Sequence, residues 1–81
     1  MDYTQKINGV KNEDVVSASD ILNEVREYLI ERDYNPVNQL VGYLLSGDPT
    51  YITSYKNARN IICKLDRDEL LEELIKAYYS K

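Results

Sequence analysis

The chain has two prolines, Pro36 and Pro49, each preceded by a short polar residue. The Asn35-Pro36 and Asp48-Pro49 pairs bracket the stretch that most limits the fold. Asn35 offers a side-chain oxygen to the free amides of a first helical turn, and Pro36 lacks the donor that would go unused there. Val37, Leu40, Val41, Leu44 and Leu45 then fall at i, i+3, i+4, i+7 and i+8, the spacing of a helix face and not of a strand. Gly47 ends the helix, since glycine enters the left-handed region without steric cost. Asp48-Pro49 repeats the cap-and-proline signal and opens the next element. A helix of roughly ten residues is marginal alone in water, so the rest of the chain is expected to cover its apolar face.

Residues 1–16 read as a flexible tail, with a turn signal at Asn8-Gly9, a polar run over 11–14 and no apolar period. Ser17 and Asp20 approximate a capping box for a first helix. Its buried face is predicted as Ile21, Leu22, Val25, Tyr28 and Leu29, with Glu24, Glu27, Glu31 and Arg32 in solvent. It ends before Pro36, because the residue ahead of a proline avoids the helical region. After the bracketed helix, Asp48 to Tyr51 suits a tight turn or a short 3-10 segment.

The period predicts a third helix over Ser54 to Leu65, with Tyr55, Ala58, Ile61, Ile62 and Leu65 inward and Lys56, Arg59 and Lys64 outward. A last helix begins at Asp66, with Glu69 as its capping-box partner. It carries a wide stripe of Leu70, Leu71, Leu74, Ile75 and Tyr78, and Glu72 and Lys76 form an i,i+4 pair. The fold class is therefore all-α: about four helices and a short 3-10 turn in one compact domain, residues 17–81, behind the 1–16 tail. Such a core is small enough to be marginal without disulfide or metal, and pairing of identical apolar faces in a symmetric dimer is the ordinary remedy.

Composition narrows the chemistry. A net charge of −4 argues against nucleic acid as a partner. No apolar run approaches the roughly 18 residues of a membrane helix, and the acidic start is unlike a signal peptide, so no membrane insertion is expected. The single cysteine, Cys63, has no internal disulfide partner, which favours a cytoplasmic location. With no histidine in the chain, Cys63 reads as a small core or near-core thiol and not a nucleophile, and no metal or other cofactor is expected. Carboxylates at adjacent helical positions, such as Glu72 and Glu73, point apart. Ser46-Gly-Asp-Pro49 lacks the lysine and the preceding strand of a phosphate loop. The chain is read as no enzyme. Lys56, Arg59, Lys64 and Arg67 are the basic concentration in an acidic chain, either balancing the acidic helices or offering a dock to an acidic or phosphorylated partner.

One block carries more specific information. Tyr34-Asn35-Pro36-Val37-Asn38-Gln39-Leu40-Val41-Gly42-Tyr43-Leu44-Leu45-Ser46-Gly47-Asp48-Pro49, then Tyr51, Asn57-Ala58-Arg59-Asn60 and Arg67 to Leu74, closely resembles the IreB/ReoM family of small regulatory proteins of Gram-positive bacteria. The resemblance runs over most of residues 20–79. It implies a helical homodimer without known enzymatic activity, acting downstream of a membrane Ser/Thr kinase and its phosphatase. The family block marks Tyr34, Asn35, Pro36, Asn38, Gln39, Gly42, Tyr43, Gly47, Asp48, Pro49, Tyr51, Arg59 and Arg67 as partner-facing or dimer-facing residues. In the tail, Asp2-Tyr-Thr-Gln-Lys-Ile7 is similar to the family's phosphorylation motif, which makes Thr4 the expected site, although Ile7 stands where an aromatic residue is usual.

The resemblance further implies restraint of peptidoglycan precursor synthesis and an influence on resistance to cell-wall antibiotics. The expected route is a Clp-type protease that degrades the first committed enzyme, with phosphorylation at Thr4 lifting the restraint. The alternative is a constitutive subunit of a helical assembly whose tail is inert.

Overall fold

A computed structural model describes residues 17–80; the expected tail and Thr4 lie outside the described residues. The described chain is all-helical: α1 (Ala18–Glu31), α2 (Pro36–Ser46), a 3-10 turn (Pro49–Tyr51), a second 3-10 turn (Tyr55–Asn57), α3 (Ala58–Ile62) and α4 (Arg67–Tyr79).

α1 begins where Ser17 Oγ accepts the Asp20 amide at 3.0 Å. It buries Ile21, Leu22, Val25 and Leu29, the spacing that keeps one face inward. Its end is closed by two reverse bonds, Tyr34 N–H to Leu29 O and Asp33 N–H to Ile30 O, both 2.9 Å. That is the Schellman pattern, and it requires a left-handed residue at Asp33, where φ is +64°.

α2 has the caps expected of it. Asn35 Oδ1 accepts the amides of Val37 and Asn38, at 2.9 and 3.2 Å. Gly47 stops the helix at φ +75°, its amide bonded to Tyr43 O. Asp48 then caps the Pro49–Tyr51 turn through the Thr50 amide. α4 opens with the predicted Asp66–Glu69 capping box, and its Glu72–Lys76 pair closes at 3.6 Å.

The core differs from expectation in where α2 and α4 point. It is built on α1, against which α3, α4 and α2 pack, and it also takes in Tyr43, Ile52, Ala58, Ile61, Ile62 and Leu70. From α2 only Tyr43 is buried, with Leu40 and Leu44 half-covered. Val37 and Leu45, predicted inward, are 68% and 82% exposed, and Val41 is exposed too. The reason is angular. Leu40, Tyr43 and Leu44 form one inward line, and at about 100° per residue Val37, Val41 and Leu45 sit roughly a quarter-turn away. α4 repeats this: Leu70 is buried, whereas Leu71, Leu74, Ile75 and Tyr78 are exposed.

One further correction concerns the third helix. The segment predicted as one helix is broken at Lys56 (φ +50°) and Asn57 (φ +66°), so α3 spans only five residues. Its inward residues are otherwise those predicted, with Ala58, Ile61 and Ile62 buried. Cys63 is exposed at the rim of the core, its Sγ 3.7 Å from the Tyr43 hydroxyl.

Candidate functional site

The residues of the conspicuous central block are held to one another, and the contacts explain their identities. Gly42 faces Tyr51 so closely that a side chain there would meet the ring: a Cβ would lie 2.6 Å from Tyr51 Cε1. Gly47 faces Arg67, whose Cζ would lie 2.9 Å from a Cβ at that position. Arg67 Nη1 donates to Leu44 O at 3.0 Å, which satisfies one of the free carbonyls at the end of α2. Arg59 Nε donates to Ile52 O at 2.9 Å. Both guanidinium groups therefore reach the 44–52 segment from later in the chain.

Asp48 completes this frame. Its Oδ1 accepts the Thr50 amide at 3.0 Å and the Thr50 hydroxyl at 2.7 Å. These bonds hold its carboxyl below the usual aspartate range, with a smaller contribution from the charge of Arg59. Pro49 opens the short turn that Asp48 caps. Tyr43 is buried, and that burial first, then its contact with Cys63, pushes its hydroxyl above the ordinary tyrosine value.

Other block residues sit at the start of α2. Asn35 and Pro36 set the cap. Gln39 N–H bonds Asn35 O at 3.1 Å. Tyr34 and Asn38 are exposed, Tyr34 being the residue that closes the α1 stop. At the α2–α4 junction a cleft of about 450 Å³ is lined by Leu44, Asp66, Arg67, Asp68 and Leu71.

Of the four cations singled out together, Arg59 and Arg67 are tied to backbone carbonyls of the 44–52 segment, and Lys64 is exposed. Lys56 turns instead to α1, with Nζ 3.4 Å from Glu31 Oε1. There it joins a cluster that sequence reasoning missed. The Tyr28 and Tyr55 rings meet edge to face at 6.2 Å, and Lys56 Nζ lies 5.5 and 5.4 Å from their centroids. The Tyr55 hydroxyl donates to Glu31 at 2.7 Å, and the Arg32 guanidinium stands 5.1 Å over the Tyr55 ring. Only the α1 half had a local signal, the i,i+4 spacing of Glu24, Tyr28 and Arg32; Tyr28 does donate to Glu24, at 2.8 Å.

Among the described residues no polar side chain is buried and no three His, Cys, Asp or Glu residues gather to hold a metal. No helix among the described residues is long and apolar enough to cross a membrane. The class so defined is a small all-helical protein whose distinguishing chemistry lies on its surface and in its turns.

The family model described as IreB regulatory phosphoprotein matches residues 2–80, and the chain belongs to that family. A UPF0297 protein of Clostridioides difficile (strain 630) is 53% identical over 81 residues, covering 100% of this chain and 94% of the relative. A UPF0297 protein of Ruminiclostridium cellulolyticum is 61% identical over 69 residues, 85% of this chain and 78% of the relative.

Proposed function

We propose that this member of a regulatory phosphoprotein family is a non-enzymatic, cytoplasmic homodimer whose N-terminal arm, residues 1–16, is switched by a Ser/Thr kinase and its phosphatase at Thr4. The observation that carries the dimer is the apolar surface that α2 and α4 leave outside, above all Val37, Val41, Leu45, Leu71 and Ile75. Exposed apolar side chains in such number on so small a fold mark an interaction face, and two copies of one chain meet most simply through the same face. In its unmodified state the dimer restrains cell-wall precursor synthesis by assisting a Clp-type protease against the first committed enzyme, and thereby influences antibiotic resistance. Phosphorylation adds about −1.5 to −2 charges and three strong acceptors to a chain already at −4. That charge repels an acidic partner or draws the arm toward Arg59 and Arg67 on the block surface.

The deciding experiment treats the full chain with a membrane Ser/Thr kinase of a Gram-positive bacterium and maps the phosphate. Modification at Thr4, abolished in Thr4→Ala with the dimer intact, is the expected result. Phosphate only at Thr50 or Thr53, or a normal wall-stress response in Thr4→Ala cells, would overturn the switch. The constitutive-subunit reading predicts no change in binding on phosphorylation.

A further inference from the structure

We propose that Lys56 is a latch: its ammonium, held by Glu31 against the rings of Tyr28 and Tyr55, keeps the 54–62 segment broken, and its release lets that segment close into one helix.

Three observations support this. The break consists of two successive non-glycine residues in the left-handed region, Lys56 (φ +50°) and Asn57 (φ +66°). Asparagine visits that region readily, and here the Asn60 Nδ2–Asn57 Oδ1 bond of 2.7 Å holds its side chain. Lysine's own side chain makes no such bond to the backbone or to a neighbour's amide; its local contact is the adjacent Tyr55 ring, 5.4 Å from Nζ, and the remaining groups that hold it lie outside the segment. They are all on the last turns of α1: Glu31, 3.4 Å from Nζ, and Tyr28, 5.5 Å from it. Tyr55, the residue before the lysine, donates to the same carboxylate and stands under Arg32.

The second observation is that the local sequence favours the other state. Tyr55, Ala58, Ile62 and Leu65 continue one helical period straight through the break. A strained conformation opposed by its own local pattern persists only while tertiary contacts outweigh that preference.

Third, the break sets the direction of α3. Ala58 N–H already bonds Tyr55 O, so the first turn of α3 starts from the kink itself. Arg59, next in line, reaches back to Ile52 O. Closure of the segment therefore lifts Tyr55 off α1 and re-aims Arg59. The latch couples the end of α1 to the aim of α3.

The test is solution NMR on the full chain, reading the intraresidue amide–Hα NOE, which is strong for a left-handed residue and weak in a helix. Strong NOEs are expected at Lys56 and Asn57 in the unaltered protein. Lys56→Met, which keeps the stem and removes the charge, should lose both and gain unbroken sequential amide–amide NOEs from Ser54 to Ile62. Glu31→Gln should shift the same signals, and because Glu31 is exposed this variant reads the coupling without endangering the core. Lys56→Gly should keep the broken form even when combined with Glu31→Gln, since glycine is at ease at positive φ. Strong NOEs retained in Lys56→Met or in Glu31→Gln overturn the latch, as does a continuous helix in the unaltered chain.

Discussion

The ring of Tyr51 occupies the space that a side chain at position 42 would need, 2.6 Å from a Cβ on Gly42 to Tyr51 Cε1 and closer still to Cδ1. The glycine lies inside α2, where it is a poor helix former, and the tyrosine ends the 3-10 turn after that helix. Each residue accounts for the other. Helix propensity alone would gain about 1 kcal/mol from Gly42→Ala, yet the ring leaves no room for the methyl. Gly42→Ala should therefore destabilise the protein in urea unfolding. In a Tyr51→Ala background the same change should become neutral or stabilising by up to about 1 kcal/mol. Destabilisation of equal size in both backgrounds would show that the ring is not the obstacle.

Gly47 has two reasons for being glycine, and they can be separated. Its φ of +75° costs alanine about 1–2 kcal/mol, and Arg67 fills the space beyond it. Gly47→Ala should cost more than about 1 kcal/mol, and Arg67→Ala should remove only the steric part. Arg67→Ala alone should cost about 1 kcal/mol through the lost bond to Leu44 O. Urea midpoints of the two single variants and the double one measure both contributions.

Glu31 gives the cluster a pH signature. The Tyr55 hydroxyl first, and Lys56 second, hold its carboxyl below the usual glutamate range. A carboxyl lowered on folding stabilises the fold above its unfolded value of roughly 4.3, and that contribution disappears as pH falls through the lower folded value. Lys56, raised chiefly by its bond to Glu31, behaves oppositely: its share holds below roughly 10.4 and is lost as pH rises through the folded value. The stability difference between the unaltered chain and Glu31→Gln should be present at neutral pH and vanish in acid. A difference that persists when the carboxyl is fully protonated would mean that charge is not its source.

Leu45 distinguishes a covered face from an idle one. At 82% exposure, replacing it with aspartate in a monomer should move stability by no more than about 0.5 kcal/mol. In a dimer paired through α2 the same charge enters a dry interface and must be desolvated. Light scattering at micromolar concentration should give twice the 9.4 kDa chain mass for the unaltered protein and the single-chain mass for Leu45→Asp. A monomer before substitution, or an undisturbed dimer after it, removes α2 from the interface.

Much of the fold was legible because its signals are local. Asn35, Gly47, Asp48 and the Asp66–Glu69 box act within a few residues of themselves, and each does what its chemistry requires. The apolar period of α2 was equally plain, but period alone shows how wide a stripe is, not which part of it the chain covers. Tyr43 took the inward line because its ring joins the core built on α1 and α3, and Val37 and Leu45 were left outside. The break at Lys56 was invisible for a different reason: the groups that hold it lie some 25 residues earlier, on α1. The Gly42–Tyr51 and Gly47–Arg67 pairs likewise join residues whose link no local pattern announces.

The connection between α2 and the Pro49–Tyr51 turn consists of Gly47 and Asp48 alone. The groups that shape it are already engaged: the Gly47 amide with Tyr43 O, the Asp48 amide with Ser46 Oγ, and the Asp48 carboxylate with Thr50. Such a link has no slack. One residue inserted there would add about 3.8 Å of chain to the link, enough to move Tyr51 off Gly42 and to disrupt the bonds that close the α2 terminus. Length at this corner is therefore fixed as firmly as residue identity, and insertions that surface loops ordinarily absorb have no place in it.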